Sequence, residues 1–148
     1  MNLSSQLANH FRQVQFGGNW TWVNLKDTLN DVTWEQSSTK IDSLNTIAAL
    51  VYHINYYVIA ATNVLRGNPM EAHDKYAFDV LPTQSQDDWE KLRGKLFSDA
   101  EIFAALVEQL PESKLDEIFV LEKYGTYFRN IQGIIEHTHY HLGQIVII

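Results

Sequence analysis

Apolar residues recur at spacings of three and four along four long stretches of this chain. The first holds Leu3, Leu7, Phe11 and Val14 and is interrupted by Gly17-Gly18. That spacing places side chains on one face of an α-helix. A short helical segment is expected after Thr21, a candidate N-cap, through Leu25 to about Leu29. Thr33-Trp34-Glu35-Gln36 fits a capping box, which suits a turn as well as a helix. The second long stretch opens at Asn45 or Thr46 and runs to about Arg66, where Gly67-Asn68-Pro69 stops it. Ser85 caps the third, whose apolar line of Trp89, Leu92, Leu96, Ala100, Phe103, Val107 and Leu110 is nearly a heptad seam. Pro111 ends it, and the fourth stretch covers roughly Tyr127 to Ile147.

Two connections stand out. Residues 68–83 form a link of about sixteen residues, unusual in a compact domain and a mark of function. Ile118 to Phe128 is compatible with a short hairpin around Gly125 or with a packed loop. No internal repeat, linker or low-complexity segment divides the chain. The pattern predicts one all-α domain over residues 1–148, a four-helix bundle whose long connections permit a topology other than simple up-down.

Composition narrows the function. With 148 residues and 45% hydrophobic content, the chain can bury a core of its own. Its formal net charge of −7 repels a phosphate backbone, which disfavours nucleic acid as the main partner. There is no cysteine, so disulfides, thiolate ligands and a nucleophilic thiol are all excluded. That fits a reducing cytoplasm. The N-terminus lacks a basic stretch followed by an apolar core, so no signal peptide is expected. The most apolar stretch, Ile47 to Leu65, carries His53, Asn55, Thr62 and Asn63. These groups are costly in lipid, so the stretch is expected to be a core helix and not a membrane span.

The chemistry lies in the histidines. His137 and His141 are four residues apart, ~40° of helical rotation and ~6 Å of rise, so both imidazoles can reach one ion. His139 falls on the opposite face. His53, mid-way along the second long helix among Val51, Ile54 and Val58, supplies the third candidate ligand, because a charged imidazole there would be expensive. Ala49 and Ala60 on the His53 helix, and Gly133 one turn before His137, leave space around such a centre. Three imidazoles with an open position suit zinc, and nickel accepts imidazole equally. Each feature also has a plainer explanation, a solvated pair or a satisfied core histidine. His10, His73 and His139 are expected to be structural or solvated.

The segment His137-Thr-His-Tyr-His141-Leu-Gly-Gln144-Ile145 resembles the end of DinB/YfiT-like proteins, whose last helix carries a His-x-x-x-His pair followed by Gly-Gln and an apolar tail. Asn19-Trp20 and the run Ile47-Ala-Ala-Leu-Val-Tyr-His53-Ile54 resemble that superfamily too. The resemblance implies a four-helix bundle with a metal triad at His53, His137 and His141. Leu142 departs from it, standing where members often carry Arg.

The resemblance also implies a possible activity: metal-dependent transfer or isomerisation using a low-molecular-weight thiol, which a cysteine-free protein takes from outside. Arg66, Arg129 and Lys123 are candidate anchors for a thiol's carboxylate. The alternatives are a metal-dependent hydrolase and a non-catalytic, stress-related metal module. A hydrolase needs a base, and Glu136 points ~100° away from His137 on the helix. No residue is singled out as catalytic. Gln144, at i+3 from His141, either orients that imidazole or touches the ligand, or else satisfies a neighbouring helix. Tyr57 is expected to line the pocket or to pack in the core. Trp20, Trp22, Trp34 and Trp89 are expected in the core or at an interface. The apolar end Ile145-Val146-Ile147-Ile148 suggests burial in a homodimer.

Overall fold

The computed structural model describes residues 1–148. Six α-helices form: α1 (Leu3–Phe16), α2 (Leu25–Asn30), α3 (Trp34–Ser38), α4 (Ile47–Leu65), α5 (Gln86–Glu108) and α6 (Tyr127–Ile147). Each begins at a residue whose side-chain oxygen accepts from a backbone N–H of the first turn, which would otherwise lack a partner. The caps of the four long helices are Asn2, Thr46, Ser85 and Thr126. Thr33 and Gln36 complete the capping box of α3. Thr21 does not cap α2; Asn24 does. Thr21 Oγ1 instead accepts from Asn19 Nδ2 at 3.0 Å, so its hydroxyl serves the turn before the helix.

The four long helices pack in a ring. α1 contacts α5 and α6, and α4 contacts the same two. The diagonals are therefore α1–α4 and α5–α6, and two of the three connections between successive long helices cross the bundle. α2 and α3 carry the chain over the first diagonal. The second is spanned by residues 109–126, which hold two 3-10 turns. Within that link Ile118 and Thr126 form one isolated antiparallel bridge, so the segment is a packed loop closed by a single rung, not a hairpin.

Apolar burial divides into two clusters. One gathers Leu7, Phe11, Val58, Phe103, Ile131 and Ile135; the other gathers Leu25, Leu50, Ile54, Trp89, Leu96, Leu142 and Ile145. Along α4 and along α6 the changeover between them falls at the level of the histidines. α4 is long and apolar enough to cross a membrane, yet 67% of its most apolar window is buried inside the bundle, as a core helix requires.

The tryptophans separate sharply. Trp89 is sealed in the core and donates its indole N–H to the Val32 carbonyl at 2.8 Å. Trp20 and Trp22 are 95% and 84% exposed, so neither is a core residue. The end of α6 also splits, with Ile145 buried and Val146 and Ile147 exposed.

Candidate metal centre

α4 and α6 pack side by side, and their facing surfaces carry the three histidines. His53 Nε2 lies 3.0 Å from His137 Nε2, which lies 3.1 Å from His141 Nε2. One ligand atom from each residue falls within 4.8 Å of the others. His53 and His141 are each only 8% exposed, so this nitrogen cluster is largely withdrawn from water.

The hydrogen-bond partners on the far side of the rings decide what the cluster can do. His53 Nδ1 is 3.1 Å from the Ala77 carbonyl, and His141 Nδ1 is 2.6 Å from Gln144 Oε1. Both partners only accept, so both Nδ1 atoms carry the proton and both Nε2 atoms turn lone pairs inward. Without an ion, a proton on His137 Nε2 is what holds the three nitrogens together. An ion can take that proton's place if His137 shifts its hydrogen to Nδ1. His137 Nδ1 is itself buried without a partner. Around a tetrahedral zinc, nitrogens at bonds of about 2.0–2.1 Å stand about 3.3 Å apart. The observed spacing is within a few tenths of an ångström of that. Donor type, the tautomers of His53 and His141, and the two short spacings fit a divalent cation.

Burial sets the protonation. His137 is pushed down to about 4, first by desolvation and then by its two histidine neighbours. His53 is also lowered, chiefly by desolvation, against a smaller opposing effect of the Ala77 carbonyl. Neutral imidazole is the form that ligates a metal.

The connection after α4 completes the site, and nothing in its residue pattern marks the parts it supplies. Phe78 stacks flat on His53, with ring centroids 3.9 Å apart and planes 6° from parallel. Ala77 gives the carbonyl already described. Asp74 accepts a hydrogen bond from Tyr57 Oη, and Tyr57 sits edge-on to both His53 and His137 at 5.4 and 5.2 Å between centroids. Burial and the Asp74 carboxylate push the Tyr57 hydroxyl up to about 12. Tyr56 fastens the same segment through His73, accepting from its N–H at 2.8 Å. The only sequence signal for this latch was the length of the connection.

An open cleft of about 740 Å³ borders the centre, lined among others by His53, Tyr57, Arg129, Gly133, Glu136 and His137. Tyr57 and Gly133 both line this cleft. Ala49 and Ala60 do not line the cleft; Ala60 is buried and Ala49 half-buried on α4. Arg66 lies in a separate depression with Lys95 and Asp99, away from the histidines. Glu136 does reach the cleft, because its position on α6 faces the opening beside His137, so its rotation from that histidine does not exclude it. Leu142 is 3% exposed in the core and takes no part. His139 is not part of the cluster and lies close to His10, with ring centroids 6.3 Å apart.

A family model of the DinB superfamily matches residues 19–145 of the chain. No curated protein matches it, and no solved structure does.

Proposed function

The chain belongs to the DinB superfamily, and from that premise we propose that it holds one zinc or nickel ion with His53, His137 and His141 and uses it in transfer or isomerisation chemistry on a low-molecular-weight thiol. The observation that carries this reading is the pair of inward lone pairs, set by the Ala77 carbonyl and Gln144, at the edge of an open cleft. Three protein ligands leave a coordination position free, and a divalent ion there would supply a lowered pKa to a thiol that entered it. The chain's own residues do the rest. Phe78 and Tyr57 exclude water from two sides of His53, and the cleft admits a second molecule. Because the chain lacks cysteine, the sulfur comes from the substrate side.

A metal-dependent hydrolase is the second reading, and one observation favours it. Glu136 gives that chemistry a carboxylate in the cleft beside His137. We also propose a cytoplasmic protein acting on a small molecule, with no role for nucleic acid or membrane. A homodimer would cover exposed Trp20, Trp22 and Ile147, and sedimentation velocity tests it.

The deciding experiment is elemental analysis of untagged protein followed by thiol titration of the cobalt-substituted form. About one ion per chain and a new sulfur-to-metal charge-transfer band support the thiol reading. Ester or amide cleavage without added thiol, and no such band with any cellular thiol, moves the function to the hydrolase. Neither activity, with metal still bound, leaves a non-catalytic metal module.

A further inference from the structure

The connection between α4 and α5 serves two parts of the molecule. Its Ala77 and Phe78 orient and cover His53. Residues 80–83 instead wall a second cavity, of about 350 Å³, against α4 and α5. This cavity shares no lining residue with the cleft beside the histidines. Its volume is in the range that small-molecule sites occupy. Ile59, Val80, Pro82 and Leu92 make it apolar, and the rings of Tyr52 and Tyr56 stand on its α4 side with centroids 6.3 Å apart. Leu81 also lines it, yet is 83% exposed, an apolar side chain left to water at the mouth.

One polar group of this wall lacks a partner. Asn55 is only 6% exposed, and its Oδ1 is buried with no hydrogen bond. Its Nδ2 donates to Asp99 Oδ2 at 2.9 Å, so the carboxylate fixes which amide atom is which and leaves the acceptor free. A buried acceptor without a donor costs stability, and such groups mark places where a further molecule belongs. Charge narrows that molecule. Both lysines at the cavity are paired, Lys91 with Asp87 at 2.8 Å and Lys95 with Asp99 at 2.7 Å. Asp88, also in the wall, accepts from the Gln84 N–H and has no cationic partner. The site therefore offers an anion a free carboxylate and no free cation.

We propose that this cavity binds a small neutral aromatic molecule with one hydrogen-bond donor, which satisfies Asn55 Oδ1 and braces the segment over His53. The bracing follows from contacts along the connection. Tyr56, whose ring lines the cavity, accepts from the His73 N–H at 2.8 Å. From there the chain is tied turn by turn: the Ala77 N–H donates to the Asp74 carbonyl at 3.2 Å, Asp79 to Tyr76 at 3.1 Å and Val80 to Phe78 at 2.8 Å. A molecule seated against Tyr56 and Val80 holds both ends of this stretch, and Ala77 and Phe78 lie within it. The proposal needs no metal and stands apart from the thiol and hydrolase readings.

The probe is 2-naphthol, compared with naphthalene, which has no donor, and with 2-naphthoate, which is an anion. Binding to chelator-treated protein is followed by calorimetry and by backbone amide NMR. One 2-naphthol per chain should bind, at least tenfold more tightly than either comparison compound, and should shift the Val80 and Leu81 amides. Asn55→Leu should bring 2-naphthol to the affinity of naphthalene while naphthalene still binds. Leu92→Trp, which fills the cavity, should abolish binding of both with the helical circular dichroism retained. At a free concentration ten times its Kd, 2-naphthol should slow hydrogen exchange of the Asp79 and Val80 amides by about tenfold, if opening of the segment empties the cavity. No binding, equal affinities of 2-naphthol and naphthalene, or shifts centred on Gly133 and His137 instead overturn the site. Unchanged exchange at Asp79 and Val80 under saturation overturns the brace.

Discussion

The two sides of the metal centre are built by opposite means. α6 supplies His137, His141 and Gln144 from one helical face, at spacings that regular backbone geometry imposes. The connection between α4 and α5 supplies Asp74, the Ala77 carbonyl and Phe78 from a segment whose only regular structure is one 3-10 turn, Asp74–Tyr76. The helix provides ligands and a brace for one of them. The loop provides no ligand but orients His53, covers it and brings in a carboxylate. The contrast teaches that donors can come from periodicity, while the shell that sets their tautomer and dryness can come from a segment with no pattern at all.

The comparison breaks most visibly at the ligands. His53→Ala, His137→Ala and His141→Ala should each abolish stoichiometric metal, read by mass spectrometry of purified protein, whereas His139→Ala retains it. Parental metal content in all three variants would remove the centre altogether. Next in size are the two braces. Gln144→Ala, on the helix side, should weaken metal affinity by roughly 10–100-fold, the usual effect of losing a hydrogen-bond partner behind a ligand, and Phe78→Ala, on the loop side, should weaken it by uncovering His53. A loop variant without effect, measured by competition with a chromophoric chelator, would show that the helix alone organises the site.

Smaller effects sharpen the picture. In metal-free protein His137 has a folded-state pKa of about 4, below its ordinary value of 6.5. The unfolded chain therefore binds the extra proton first as pH falls, so stability should be full above 6.5 and decline towards 4. Thermal melts of the chelated protein across that range test the sign; a rise in stability on acidification would contradict it. Chelation at neutral pH should lower the melting temperature without unfolding the protein, since the bundle has its own core. The smallest expected change is Tyr57→Phe, which deletes the bond to Asp74 and should cost about 1–2 kcal/mol in denaturant titrations.

The four long helices were legible because apolar spacing and capping residues agree at each of them: Thr46 and Gly67 bound α4, and Ser85 and Pro111 bracket α5. His53 was legible as a polar exception in an apolar run. Phe78 was not, since an aromatic residue in an aperiodic segment has no partner that spacing can name, and the Ala77 contribution is a carbonyl that every residue possesses. Asn24 displaced Thr21 as a cap because Asn19, two residues earlier, engages the threonine hydroxyl in the turn before the helix, a use of the side chain that capping preference alone does not register. Glu136 was set aside on helical rotation alone, yet the cleft is wide enough to include the neighbouring face.

The changeover between the two apolar clusters, at the level of the histidines, bears on how the molecule opens. A bundle with a divided core can lose its halves separately, each as its own cooperative unit, and the junction is where such partial opening begins. A ligated ion would tie α4 to α6 at that junction and couple the halves. Amide hydrogen exchange in the metal-free protein should therefore resolve two protection levels, one for each cluster. Loading should merge them into a single slow class, with the largest slowing at residues near His53 and His141 and little change at the far ends of α1 and α5.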